Sequence, residues 1–172
     1  MLIQVIGLNY FSNRLFSVSS DGILKSWENF TFNFEINVTC TVLSFEITLD
    51  GILLCGCSNG LIKMFSMLSN YFYPFKTLYQ NINVSSLRAV QFGRLISGTN
   101  NGSLYVWNYN TNTMALNIFA HGSNIHALEY VDNRTLLSSA LGGRIRSWKI
   151  DNGNMILHIN AGSAVYSLKY FN

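Results

Sequence analysis

Few groups in this 172-residue chain could do covalent or metal chemistry: three histidines (His121, His126 and His158), three cysteines (Cys40, Cys55 and Cys57) and eight carboxylates. A structural zinc site needs four ligands in paired spacings. Cys55-Gly56-Cys57 offers one pair and the chain has no second, while strand alternation aims both thiols at one face. They read as small buried residues, and neither a metal nor any other cofactor is expected. So odd and sparse a cysteine set is unlike the framework of a small secreted domain, so reduced thiols are expected. The histidines come without a nucleophile elbow, an HExxH helix or a phosphate-cradling glycine loop, and no enzymatic activity is expected.

The carboxylates Asp21, Glu28, Glu35, Glu46, Asp50, Glu129, Asp132 and Asp151 form no obvious catalytic pair, and most fall at turns or strand ends where solvation suits them. None lies between residues 51 and 128, so Lys63, Lys76, Arg88 and Arg94 stand unopposed in the sequence and predict a mildly basic face. Four charges spread so thinly are a weak basis for nucleic-acid binding, which is not expected. Arg144, Arg146 and Lys149 form a local cluster and read as an exposed strand face.

The elements that position these groups are set by an internal repeat. Glycines at 22, 60, 102 and 143 are each followed five residues later by Trp27, Phe65, Trp107 or Trp148. Seven residues before each glycine stands Leu15, Leu53, Leu95 or Leu136, and five before it Ser17, Cys55, Ser97 or Ser138. The segments LFSVSSDGILKSWE, LLCGCSNGLIKMFS, LISGTNNGSLYVWN and LLSSALGGRIRSWK each read as a hairpin, two alternating strands around a turn whose glycine supplies positive φ. Another alternating run precedes each hairpin and a less regular one follows it. Four short strands per period of about 40 residues are the pattern of propeller blades. The chain is therefore expected to be one all-β domain, with units at 1–37, 38–82, 83–120 and 121–160 and a partial unit at 161–172.

Composition agrees. Hydrophobic residues make up 49%, aromatics 14% and charged residues only 11%, with a net charge of +3 and one proline. This is core-forming rather than disordered material, and polar residues interrupt every apolar stretch before it could span a membrane as a helix. The N-terminus alternates like a strand and lacks the pattern of a signal peptide, so an intracellular location, cytoplasmic or nuclear, is expected. Five Asn-x-Ser/Thr sequons, at Asn29, Asn37, Asn83, Asn101 and Asn133, read as accidents of an asparagine-rich chain.

The repeat resembles the WD-repeat β-propeller family, whose units end in Trp-Asp. Here that dipeptide is degenerate: Trp27-Glu28, Phe65-Ser66, Trp107-Asn108 and Trp148-Lys149. The resemblance implies a buried tetrad of His, Ser or Thr, Asp and Trp in each unit. His121, Ser138 and Trp148 match three of its members, with Gly142 where the Asp should be. It implies a WD-type propeller, a partial or open array of four four-stranded antiparallel blades, since the family usually closes with seven. A piece of a longer array, an arc completed by a second copy or another protein, and a four-bladed closure all remain open. The segment AGSAVYSLKYFN aligns with the first strand of a fifth unit.

The same resemblance implies a non-catalytic scaffold that binds other proteins or peptides, with no membrane contact. Two positions per blade carry that role in the family. Here they fall on Ile6, Leu43, Arg88, His126 and Tyr166, and on Ser20, Ser58, Asn100 and Leu141. Arg88, His126 and Tyr166 carry most information, because Arg and Tyr dominate binding hot spots. In the connection SMLSNYFYPFKTLYQN, Tyr73 and Phe75 flank Pro74, and are expected either to anchor a partner from a loop or to form an outermost strand. A substrate-recognition subunit of a ubiquitin ligase is a narrower variant, although the adaptor-binding Trp-Asp-x-Arg box is missing. A propeller enzyme with a channel site is the alternative class, and it would need ionisable residues clustered at the inner strand ends.

Overall fold

The computed structural model describes residues 3–68, 71–132 and 134–171, and their regular structure is entirely β-strand. The sequon at Asn133, residues 69–70 of the long connection and Asn172 of the partial unit lie outside the described residues. The chain divides into two compact units, Met1–Val84 and Ser85–Asn172. In the first, β1 (Val5–Phe11), β2 (Arg14–Ser19), β3 (Ile23–Glu28) and β4 (Thr31–Asn37) form one sheet, and β5 (Val42–Ile47), β6 (Leu53–Cys57), β7 (Leu61–Leu68) and β8 (Tyr71–Tyr79) another. The second holds a sheet of β9 (Val84–Val90), β10 (Arg94–Thr99), β11 (Ser103–Asn108) and β12 (Thr113–Phe119), whose first residue closes the first unit. Its other sheet joins β13 (Ile125–Asp132), β14 (Thr135–Ala140), β15 (Arg144–Lys149) and β16 (Met155–Asn160). Within each sheet every strand neighbours the next in sequence, the local connectivity that tight turns impose.

The repeat read from the sequence is a repeat of register. Leu15 faces Trp27, Leu53 faces Phe65, Leu95 faces Trp107 and Leu136 faces Trp148 across the middle strand pair of each sheet. In all four sheets a β-bulge falls at the aromatic, between its strand and the outermost one. Such a bulge re-aims the large ring. Below it the indole N–H of Trp27 donates to Ser17 Oγ (2.9 Å), that of Trp107 to Ser97 (3.1 Å) and that of Trp148 to Ser138 (2.8 Å). A buried indole N–H needs an acceptor. In the second sheet both members change together: Phe65 has no N–H, and buried apolar Cys55 takes the acceptor's place.

The turn glycines meet two demands. Gly60 has φ of 81° and Gly143 of 72°, and a Cβ would lie 2.8 Å from the Ile82 nitrogen at the former and 2.7 Å from the Ser163 carbonyl at the latter. A side chain there would be strained and would also strike the backbone that follows the sheet.

The first unit's core gathers Phe16, Leu24, Val42, Leu53, Phe65 and Phe72. The second unit's core includes Ile96, Leu104, Ile125, Leu136 and Trp148. Residues 71–79 are an outermost strand, not a loop. Phe72 is buried edge-on against Phe16 (5.4 Å between centroids), and Pro74 sits at the bulge opposite Phe65, where an edge strand tolerates a missing donor.

Three electrostatic and redox expectations are corrected. Cys40 and Cys57 form a disulfide, with Cα atoms 5.9 Å apart, and only Cys55 is free. The physical reason is register: Val42 pairs with Cys57, which carries the connection before β5 alongside the end of β6. Arg88 and Arg94 are opposed, by Glu129 and Asp151, each at 3.1 Å. Lys63 Nζ is held by the Val38 carbonyl (2.7 Å) and the Thr39 hydroxyl, which fix its charge without neutralising it, so the expected basic face loses the Arg88 and Arg94 charges. Glu129, unlike the carboxylates at turns and strand ends, is buried in mid-strand. Arg146 is half-buried and donates to the Ala120 carbonyl, so the expected exposed face keeps only Arg144 and Lys149.

His121 completes the fourth sheet's polar core, its Nε2 lying 2.7 Å from the Ser138 hydroxyl that also accepts the Trp148 indole N–H. Ser138→Ala strips two buried groups of a partner and is expected to cost about 2 kcal/mol. Urea unfolding of the variant against wild type, followed by tryptophan fluorescence, checks the loss. Burial, then the nearby charges of Arg146 and Arg144, push the His121 imidazole down to about 4 from its ordinary 6.5. The folded state thus prefers the neutral ring. The second unit is expected to hold this stability above pH 6.5 and to lose about 2 kcal/mol as pH falls toward 4, where both states bind the proton. Unfolding midpoints of wild type and His121→Asn across that window should converge at the acid end.

Candidate functional site

The strand-end positions bracketed by the sequence are set by a second bulge. Val42 pairs with Cys57 and Ile125 with Ala140, and in each the next residue, Leu43 or His126, is bulged out of the ladder. Counting from the turn glycine, Ser85 is the third sheet's equivalent of His126, and Arg88 is the equivalent of Glu129. The expectation that placed Arg88 with Leu43 and His126 is therefore corrected by three residues, because β9 begins one residue after that unit's expected start at 83, whereas β5 and β13 begin four residues after theirs at 38 and 121. Ser85 Oγ donates to the Ile125 carbonyl (2.8 Å), and Ser139 Oγ to the Val165 carbonyl (2.9 Å).

Within the second unit these residues meet. The His126 and Tyr166 rings lie 4.8 Å apart at a tilt, with Tyr166 64% exposed. His126 Nε2 is buried without a hydrogen-bond partner among the described residues. Arg88 Nη2 reaches Glu129 Oε2, and Glu129 Oε1 accepts the Tyr170 N–H at 3.4 Å. The ion pair ties β9 to β13, and Glu129 also holds the terminal segment. Asn100, in the β10–β11 turn, is exposed, and Leu141, in the β14–β15 turn, is half-exposed. In the first unit Leu43 is half-buried on β5, whereas Tyr73 and Phe75 stand 40% and 47% exposed on the outermost strand β8. The sequence reading missed Glu129; its signal was a carboxylate at a position equivalent to an arginine one repeat earlier.

At the other end of the β13–β16 sheet a half-open cavity of about 580 Å³ is lined by Asp132, Arg134, Thr135, Lys149 and Asp151. Of its charges, Asp151 is engaged by Arg134 at 3.9 Å and by Arg94, outside the lining, at 3.1 Å. Among the described residues no three His, Cys, Asp or Glu side chains are grouped to hold a metal ion.

Four-stranded antiparallel sheets repeating one register and one aromatic bulge define a propeller-type repeat protein. The solved chain of the computationally designed Ika8 protein superposes with a TM-score of 0.81 and 21% identity, covering 98% of this chain and 53% of that one. The designed Ika4 protein does so with a TM-score of 0.68 and 21% identity, covering 78% of this chain and 82% of that one. In sequence, 73 residues are 33% identical to WD repeat and SOCS box-containing protein 1 of Takifugu rubripes, a match spanning 38% of this chain and 17% of that protein's length. No family model matches the chain.

Proposed function

We propose that this chain is a non-catalytic scaffold of WD-repeat type that binds other proteins through the strand ends and turns carrying Leu43, Asn100, His126, Leu141 and Tyr166. The observation that carries the reading is the repeated Trp–Ser unit within four-stranded sheets, supported by the local likeness to a WD repeat protein. The ionisable groups near those ends also fit a scaffold, since Arg88 and Glu129 are turned toward each other rather than toward an open cleft. The exposed Tyr166 and Leu141 have the character of interface anchors. A narrower reading, a substrate-recognition subunit of a ubiquitin ligase, draws on the SOCS box in that relative's name. The missing Trp-Asp-x-Arg box weighs against it.

Affinity purification from the native cell with mass spectrometry, comparing wild type with the Leu141→Ser, Tyr166→Ser double variant, tests the proposal. Specific associates of the wild type that the variant loses are expected. An identical set from both proteins would remove these residues from the interface, and no stable associates at all would overturn the scaffold reading.

A further inference from the structure

The scaffold reading leaves two features of the chain unused: the Asn-x-Ser/Thr sequons and the Cys40–Cys57 disulfide. The bridge speaks of the surroundings. Cys40 is only half-buried, so a cytosolic reductant has access to it, whereas in an oxidising compartment such a bridge persists. Sequons are used in that same kind of compartment, and the structure separates them from one another. A glycan needs an asparagine at the surface whose side chain the fold does not require. Asn83 is half-buried. Asn37 Oδ1 accepts the Thr39 N–H (2.7 Å), and Asn101 Oδ1 accepts the Ser103 N–H (3.2 Å) and the Thr99 hydroxyl (2.6 Å), so both side chains fasten their own turns. Asn29 is exposed, and its side chain makes no hydrogen bond among the described residues. It sits at the tip of the β3–β4 hairpin, where Asn29 and Phe30 have φ of 49° and 61°. Asparagine tolerates that conformation and a bulky aromatic does not, yet Phe30 stands there 94% exposed with Phe32 55% exposed beyond it. An exposed ring held in a strained turn points to a function outside the fold.

We propose that Asn29 carries an N-linked glycan, attached in an oxidising compartment, and that its first sugars cover the Phe30 ring. In the transfer, Asn29 Nδ2 forms a bond to the anomeric carbon of a sugar as that carbon's bond to a lipid-linked diphosphate breaks. The diphosphate leaves with the electron pair, and the amide nitrogen gives up one proton. Thr31 completes the triplet, its exposed hydroxyl donating to the Glu28 carbonyl (2.6 Å). The proposal replaces the intracellular location expected from the N-terminus with a secretory one. It leaves the binding end of the first unit clear, because the β3–β4 turn lies at the end of its sheet opposite the β2–β3 turn. The latter turn is the one next to Leu43, since the Val42 N–H donates to the Ser20 carbonyl (3.2 Å). The glycan and the scaffold reading therefore stand apart, and either can fail alone.

The probe is the glycosidase that cleaves the sugar–asparagine bond, applied in heavy-oxygen water to the protein purified from its native cell and followed by peptide mass spectrometry. Conversion of Asn29 to a heavy-labelled aspartate is expected, with a gain in gel mobility of the whole chain. Thr31→Ala keeps the asparagine and should abolish both signals, and Thr31→Ser should restore them. Thr31 is exposed, so the urea midpoint of either variant should match wild type, separating a lost modification from a lost fold. The same native-cell protein, denatured and alkylated without reductant, should take up one group, at Cys55. Light scattering reads the covering role: glycosidase-treated protein should self-associate more than untreated protein, and Phe30→Ser should remove the difference. An unlabelled Asn29, a label that survives Thr31→Ala, a glycan on Asn37, Asn83 or Asn101 in its place, or three alkylated cysteines without reductant would overturn the proposal. Self-association indifferent to the glycosidase would overturn the covering of Phe30.

Discussion

Replacing Glu129 by alanine is expected to destabilise the second unit by about 3 kcal/mol, since removing one partner of an enclosed ion pair leaves the other's desolvation uncompensated. Two groups lose their acceptor in that change. The Arg88 guanidinium loses a carboxylate at 3.1 Å, and the Tyr170 N–H loses Oε1 at 3.4 Å. Glu129→Gln keeps an oxygen acceptor of nearly the same shape, so about half of the loss should return. Urea unfolding followed at Trp107 and Trp148 measures both variants. Equal stability of wild type and alanine variant would show that the pair is only a solvated surface contact. Limited proteolysis gives a separate signature, because Glu129→Ala should expose residues 161–171 to cleavage sooner than Glu129→Gln does.

The second large effect concerns the first unit. Cys40 and Cys57 are 17 residues apart, and a cross-link closing a loop of that size stabilises by about 3 kcal/mol on the chain-entropy account. Reduction, or Cys40→Ser, should therefore lower the melting temperature of the 172-residue protein by roughly 6 to 12 °C. The remaining thiol behaves differently: burial pushes Cys55 up to about 12, with Lys63 opposing weakly, so a reactive thiolate is scarce at neutral pH. Alkylation of the native, reduced protein should add one group, at half-buried Cys40, with the other two appearing only on addition of denaturant, since Cys57 is as buried as Cys55. Three groups on the unreduced protein, or a melting temperature indifferent to reductant, would show that the bridge is absent.

The parts of this architecture legible in the sequence are those fixed by neighbours. Each hairpin needs a turn glycine, a leucine before it and an aromatic after it, all within a dozen or so residues, so spacing alone located the middle strands of all four sheets. The outermost strand at 71–79 was harder to assign, because Pro74 and a run of aromatics mimic a loop when the bulge opposite them is unknown. Long-range pairing was not legible. Nothing local distinguishes Cys40 as the partner of Cys57, or marks Glu129 as the mate of Arg88, because both pairings depend on strands brought together only by folding. The strand-end site suffered a related error. Its members were assigned by a constant offset from each unit's expected start, and the connection before β9 reaches its strand three residues earlier than those before β5 and β13, which moved Arg88 three places from its true equivalent.

The substitution of Phe65 and Cys55 for the Trp–Ser pair bears on how such a chain can change over time. A tryptophan placed alone at position 65 would bring a polar N–H to a thiol that accepts poorly, and a serine placed alone at position 55 would bury a hydroxyl with no indole to serve. Either single step passes through a less stable intermediate. The two columns are thus expected to change together, and exchange of segments between repeats in the laboratory should cost least when the crossover points lie outside both.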